Sequence, residues 1–160
     1  MNCKTYIAAY PADFCGLVNL TDDIDPIEIN PLILSVQEDQ LKGFIGAKYY
    51  DYLVESIENS AETASDLLFI AEVKPFIIWY TYYSYLSLAQ QQSTTSGMRT
   101  QLYEKAQITD KQTLDLLARK AKISANKYLN DLLRFIIDNK TDYPTIVSYC
   151  HDTSLDVVGF

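Results

Sequence analysis

Cys150 and His151 are the first residues to consider for chemistry, because a thiol beside an imidazole can form a nucleophile pair. His151 is the single histidine of the chain. Adjacent side chains seldom converge on one reacting atom unless the backbone turns sharply between them. The pair therefore does not predict a catalytic site, and we expect His151 to lie on the surface or at an interface.

Carboxylates are the next candidates, because they bind hard cations and transfer protons. A cluster of them lies near the N-terminus: Asp22, Asp23, Asp25 and Glu28. Their spacing lacks the glycine and the terminal bidentate glutamate of a calcium loop. Glu55 and Glu58 fit one helix face, but no histidine or second pair accompanies them. We therefore predict no catalytic residue, no metal and no cofactor, and we expect the protein not to be an enzyme.

The net charge of −8 argues against tight binding to duplex DNA or to an anionic membrane. The charge is unevenly distributed. Residues 1–72 carry thirteen acids against three bases, which are Lys4, Lys42 and Lys48. Residues 111–140 carry seven bases: Lys111, Arg119, Lys120, Lys122, Lys127, Arg134 and Lys140. Such a split suits either head-to-tail association of copies or two solvated faces of a monomer.

Cysteine use indicates a reducing compartment. The chain has Cys3, Cys15 and Cys150, an odd number without metal-type spacing. No signal peptide is visible, and the uncharged stretch 75–89 is too short and too rich in tyrosine to span a bilayer. We expect assembly in the cytoplasm and no membrane contact.

The apolar periodicity predicts a mainly α fold, a small bundle of about four helices. The first helix is expected to begin with Asn30 as N-cap and Pro31 in the first turn, and to stop at Gly43. The other three are predicted at 47–59, 66–92 and 110–139. The third is apolar around its whole circumference, so it must be covered on all sides, and Pro75 predicts a kink or a restart within it.

The remaining segments are predicted to be irregular. Residues 1–29 read as an extended N-terminal arm, with room for one short strand. Residues 93–109 form a long loop or a short β-hairpin, a length that favours a functional or partner-ordered segment. Residues 146–160 form an extended, apolar C-terminal tail, which packs on its own domain or docks on a neighbour.

The order of several motifs resembles a known family. These motifs are the aromatic segment 44–53 (FIGAKYYDYL), the segment 73–82 (VKPFIIWYTY), the turn 94–98 (TTSGM), a long helix ending near Leu132, and Tyr143-Pro144. Together they resemble the head–tail connector (adaptor, or ring) proteins of tailed bacteriophages, especially of phages infecting Bacteroidetes and the crAss-like group. The similarity covers about residues 30–145, which would be the connector domain.

The resemblance implies a virion structural protein in the neck. Its subunits would form a homo-oligomeric ring, commonly a dodecamer, which docks below the portal protein, extends the DNA channel and joins the capsid to downstream neck and tail proteins. Genomic DNA would pass through without sequence-specific binding. We expect subunit or partner contacts at these residues: Tyr82, Tyr85, Met98, Arg99, Tyr103, Leu155, Val157, Val158 and Phe160.

Two other functions fit the same sequence. One is a different phage assembly component, such as a tail-completion or terminator subunit. The other is a helical DNA-binding regulatory module that uses the basic helix, although the bases are scattered around that helix and no helix-turn-helix pattern precedes it.

Overall fold

The protein is a mainly α-helical domain, as the sequence predicts. A computed structural model describes residues 6–14, 26–91 and 111–146, with side chains described for 6–14, 29–88 and 112–146. A 3-10 turn at Pro11–Phe14 precedes the helices. These are α1 (Pro26–Ser35), a π-helical segment (Val36–Leu41), α2 (Lys42–Ile45), α3 (Ala47–Glu58), α4 (Ala64–Gln91) and α5 (Lys111–Asp138).

The predicted start of the first helix is wrong. The helix begins at Pro26, and Pro31 lies inside it. Proline favours the first helical position, and here Pro26 occupies it. Asn30 is not a cap, because it lies within the helix and its Oδ1 is buried without a hydrogen-bond partner among the described residues.

The predicted stop at Gly43 is also wrong. Helical backbone continues through the π-helical segment and α2 to Ile45, and it ends at Gly46. Gly46 has φ 83° and ψ 146°, a conformation that is open essentially to glycine alone. The chain turns at Gly46, and α3 starts directly after it. The apolar side of α3 faces the core, with Tyr49, Tyr50 and Leu53 buried.

Helix α4 is the central element, as its composition predicts. It packs along α5 and also contacts α1 and the π-helical segment. It runs through Pro75 without a restart. Proline cannot donate to the carbonyl of Ala71, but Ala71 is on the exposed side, where water can serve that group. Coverage is incomplete at its first turns, because Leu67 is 57% and Leu68 is 60% exposed.

Residues 6–14 pack into the same core as the helices. Ile7, Ala8, Ala9 and Phe14 are buried. The Ile7 amide donates to Oε1 of the buried Gln37 at 3.0 Å, which attaches this segment to the π-helical turn. No strand forms within residues 6–14.

At the other end of the domain, Tyr143 closes the fold. Its ring is buried and contacts the rings of Phe69 and Phe135, each at 5.5 Å between centroids. Residues 144–146 form a helical turn, so the extended tail does not begin at Ile146 as predicted. The predicted features at 93–109 and 147–160 lie outside the described residues. Among the helices that are described, none combines the length and hydropathy needed to cross a bilayer.

Candidate functional site

A cleft of about 610 Å³ opens where α3, the start of α4 and the turn after α5 meet. Polar and aromatic side chains line it: Lys48, Tyr49, Tyr52, Thr63, Ser65, Asp66, Thr141, Asp142, Tyr143, Pro144 and Thr145. Tyr143 donates from its hydroxyl to the carbonyl of Ser65 at 2.8 Å. This bond joins two wall segments that are 78 residues apart in the chain.

Asp66 is the centre of the hydrogen bonding in this cleft. Thr63 precedes α4, and the Asp66 amide donates to its hydroxyl at 3.2 Å. In return, Oδ2 of Asp66 accepts from the Thr63 amide at 2.9 Å and from its hydroxyl at 2.7 Å. This reciprocal arrangement is a capping box, which satisfies amides that the first helical turn leaves without partners.

Two tyrosines of α3 donate to the same carboxylate. The hydroxyl of Tyr52 lies 3.0 Å from Oδ2 of Asp66, and that of Tyr49 lies 3.3 Å from Oδ1. Burial alone would raise the pKa of Asp66, but the hydrogen bonds from Thr63, Tyr52 and Tyr49 lower it below its ordinary value. Asp66 is therefore an ionised carboxylate at neutral pH, although it is only 3% exposed.

The tyrosines respond in the opposite direction. Burial, followed by the charge of Asp66, raises the pKa of Tyr49 far above its ordinary value. The hydrogen bond to Asp66 raises the pKa of Tyr52. Both hydroxyls are therefore donors near neutral pH, not bases. Oδ2 of Asp66 accepts three hydrogen bonds and Oδ1 accepts one, so Asp66 joins α3 to the cap of α4.

The interface residues predicted from sequence are only partly described. Tyr82 and Tyr85 lie on α4 and are 8% and 9% exposed, so they are mostly covered within the subunit. Tyr82 packs edge-on against Trp79. The other predicted positions lie outside the described residues: Met98, Arg99, Tyr103, Leu155, Val157, Val158 and Phe160. The contact prediction for all of them stays a prediction.

The outward face of α5 carries three exposed bases. Lys120, Lys127 and Arg134 recur every seven residues and are exposed. Exposed apolar side chains lie between them: Leu116 (52%), Ile123 (69%) and Ile137 (63%). At about 100° per residue, all six fall in one sector opposite the buried Leu114, Ala121 and Leu132. We call these six residues the basic stripe.

The outward face of α3 has the opposite sign. Asp51, Glu55 and Glu58 are exposed and spaced by four and three residues, so they share one helix face. We call these three residues the acidic stripe. Lys42 of α2 lies against it, with its Nζ 2.8 Å from Oδ1 of Asp51. Tyr52, which is 44% exposed, borders the stripe.

Sequence reasoning missed two of these features, and each had a signal. Thr63 followed by Asp66 matches the capping pattern, but the segment 59–65 was interpreted as a loop. Leu116, Ile123 and Ile137 are spaced by seven and fourteen residues, which places them on one face of α5. This spacing is the sequence signal for the exposed apolar residues. No described group of three or more His, Cys, Asp or Glu residues has the geometry of a metal site.

The fold and these surfaces define a helical domain with exposed charged faces on α3 and α5. The chain belongs to a family of unknown function, DUF6712, whose model matches residues 31–150. The match begins within α1 and includes α2 to α5. No curated protein and no solved structure matches the chain.

Proposed function

We propose that this protein is a subunit of a head–tail connector ring of a tailed bacteriophage. In this role it docks below the portal protein, extends the DNA channel and joins the capsid to the neck or tail. The protein performs no turnover. Its function resides in the subunit contacts and in the shape of the ring they build.

The observation that carries the proposal is the separation of opposite charges on different helices of one subunit. On α3 three exposed acids outnumber one exposed base, Lys48, and among the described side chains of α5 five exposed bases outnumber one exposed acid, Asp138. A ring requires a heterologous contact, in which two different faces of neighbouring copies meet. Two faces of opposite sign meet this requirement, and they disfavour pairing of like faces.

The segments that carry the family resemblance also support the proposal. Residues 44–53 form the corner at Gly46 and the first part of α3, and residues 73–82 lie in the central helix α4. Tyr143 packs against Phe69 of α4, which closes the domain. The motifs that lie within the described residues thus belong to one helical unit, as expected of a compact ring subunit, and the turn 94–98 lies outside the described residues.

The net charge of −8 fits a DNA conduit, because negative walls do not retain DNA. The hydrogen-bonded Asp66 cleft supports a structural role, since its polar groups bind one another. The regulator alternative rests on the bases of α5 alone, and these are interrupted by exposed Leu116 and Ile123.

Electron microscopy tests the proposal directly. Purified protein, and virions of a phage that encodes it, should show closed rings, and antibody labelling should place the protein at the head–tail junction. Labelling at the distal tail end would favour a tail-completion subunit. A strictly monomeric protein that is absent from particles would overturn the proposal. Salt-sensitive binding of the monomer to short duplex DNA would favour the regulator.

A further inference from the structure

The basic stripe of α5 has the properties of a docking surface. Its apolar members are among the most exposed large hydrophobic side chains that the structure describes, with Ile123 69% and Ile137 63% exposed. Aliphatic side chains bordered by charged ones are typical of surfaces that bind another protein. The neighbouring Lys122 lies off the stripe, with its Nζ over the ring of Tyr83 at 5.5 Å. Within the stripe, the Nζ of Lys127 lies over the ring of the adjacent Tyr128 at 5.7 Å.

The acidic stripe matches the basic stripe in sign and in spacing. Lys120 and Lys127 are seven residues apart, as are Asp51 and Glu58. At about 1.5 Å of rise per residue, each pair spans about 10 Å along its helix axis. Two helices packed side by side can therefore align two opposite charge pairs at once.

We infer that the basic stripe of α5 binds the acidic stripe of α3 on an adjacent copy of this chain. This inference rests on the proposed ring function and assigns its subunit contact. Leu116, Ile123 and Ile137 supply the apolar area, and Tyr52 of the neighbouring copy packs its half-exposed ring against them. The charge pairs set register and orientation, because ion pairs at a surface add little affinity by themselves.

A second copy fits the basic stripe better than duplex DNA does. The phosphate backbone offers no apolar partner, so exposed isoleucine and leucine between the basic side chains favour a protein partner over phosphate contacts. The chain also supplies the complementary acids itself. One copy has both faces, so each copy can bind a neighbour on either side, which builds a ring when the rotation between neighbouring copies closes.

Reciprocal charge reversal tests this contact. One variant carries Lys120→Glu and Lys127→Glu, and the other carries Glu55→Lys and Glu58→Lys, which leaves the Lys42–Asp51 pair in place. Each variant alone brings like charges together, so we expect its self-association, measured by analytical ultracentrifugation, to weaken by about tenfold or more. Mixing the two restores opposite charges at both contacts, and we expect assemblies in which the two variants alternate, resolved by native mass spectrometry.

A matched control is Lys140→Glu, compared with Lys120→Glu alone. Both change the net charge by the same amount, but Lys140 is exposed beyond the end of α5 and off the basic stripe, so the control should assemble like the wild type. Circular dichroism verifies that all variants keep their helices. Variants at the basic stripe that assemble normally, or a mixture that does not recover, would overturn the assigned contact and leave the ring proposal standing. A wild type that stays monomeric would overturn both.

DNA binding is the remaining outcome. If the wild type binds short duplex DNA and the Lys120→Glu, Lys127→Glu variant loses that binding without any change in self-association, the basic stripe is a nucleic-acid surface. The inference is then wrong. The salt dependence of self-association is a further readout. Assembly of the wild type should weaken as the salt concentration is raised, and the control variant should show the same salt dependence.

Discussion

At the scale of single residues, Asp66 shows how a buried charge is retained in this fold. An isolated carboxylate in an apolar environment would take up a proton, because burial penalises its charged form. Here the groups of Thr63 and the hydroxyls of two tyrosines compensate for that penalty. The same bonds cap α4 and fix α3 against it, so one side chain positions two helices.

Replacing Asp66 with Asn should lower the free energy of unfolding by about 2 kcal/mol at pH 7, since hydrogen bonds to a charged acceptor are lost and the amide nitrogen faces donors. The folded-state pKa of Asp66 is lowered, so its contribution is present above about pH 4 and is lost as pH falls through the folded-state pKa. The difference in the free energy of unfolding between wild type and Asp66→Asn should therefore shrink as the pH falls below about 4.

Urea unfolding at a series of pH values measures this difference. Glu72→Gln is the control, because Glu72 is an exposed acid on the same helix. It should have little effect at any pH. A constant difference between wild type and Asp66→Asn down to pH 2 would contradict the role assigned to the charge.

At the scale of elements, two glycines three residues apart have opposite roles. Gly46 is buried and has φ 83°, where a Cβ is strained. Gly43 is helical and exposed, and a Cβ added there meets nothing within 4 Å. The direction in which the chain leaves α2, and hence the placement of α3 with its acidic stripe, depends on Gly46.

Gly46→Ala should therefore destabilise the fold by about 1–3 kcal/mol, because alanine is strained in that backbone conformation. Gly43→Ala should stabilise it by about 0.5–1 kcal/mol, because alanine lowers the backbone entropy of the unfolded chain within a helix. Thermal and urea unfolding of both variants give the two values. Equal effects of the same sign would show that the corner does not depend on the positive φ.

At the scale of the whole molecule, residues before the first helix are part of the domain. Phe14 is 1% exposed, and Asp13 pairs with Lys74 of α4 at 2.6 Å. Packing of this kind places the described part of the N-terminal segment in the same cooperative unit as the bundle.

Phe14→Ala should lower the free energy of unfolding by about 3–5 kcal/mol, the range for removing a buried aromatic ring. Tyr10→Ala is the matched control, because Tyr10 is aromatic, lies in the same segment and is 51% exposed. Its cost should stay below about 1 kcal/mol. Denaturant titration followed by circular dichroism compares them, and similar small losses for both would place the segment outside the core.

Much of this architecture follows from the sequence. The helical period of α3 and α5 identified their buried faces, because burial along a helix repeats every 3.6 residues and is a local property. The composition of α4 indicated a central position, because a helix that is apolar around its whole circumference must be covered on all sides. These features depend on residues close together in the chain, so a pattern can reveal them.

The tertiary structure decided the features that join distant residues. The contact of Tyr143 with Ser65, and the placement of Ile7 on Gln37, depend on how helices pack, which no local pattern encodes. Sequence alone does not decide whether the helix starts at Pro26 or Pro31, or whether it ends at Gly43 or Gly46. Each pair consists of the same residue type and so has the same helix-start or helix-stop propensity, and the backbone conformation decides between them. The Asp66 cluster also depends on tertiary packing, because the tyrosines of α3 reach the carboxylate only when α3 lies against the cap of α4.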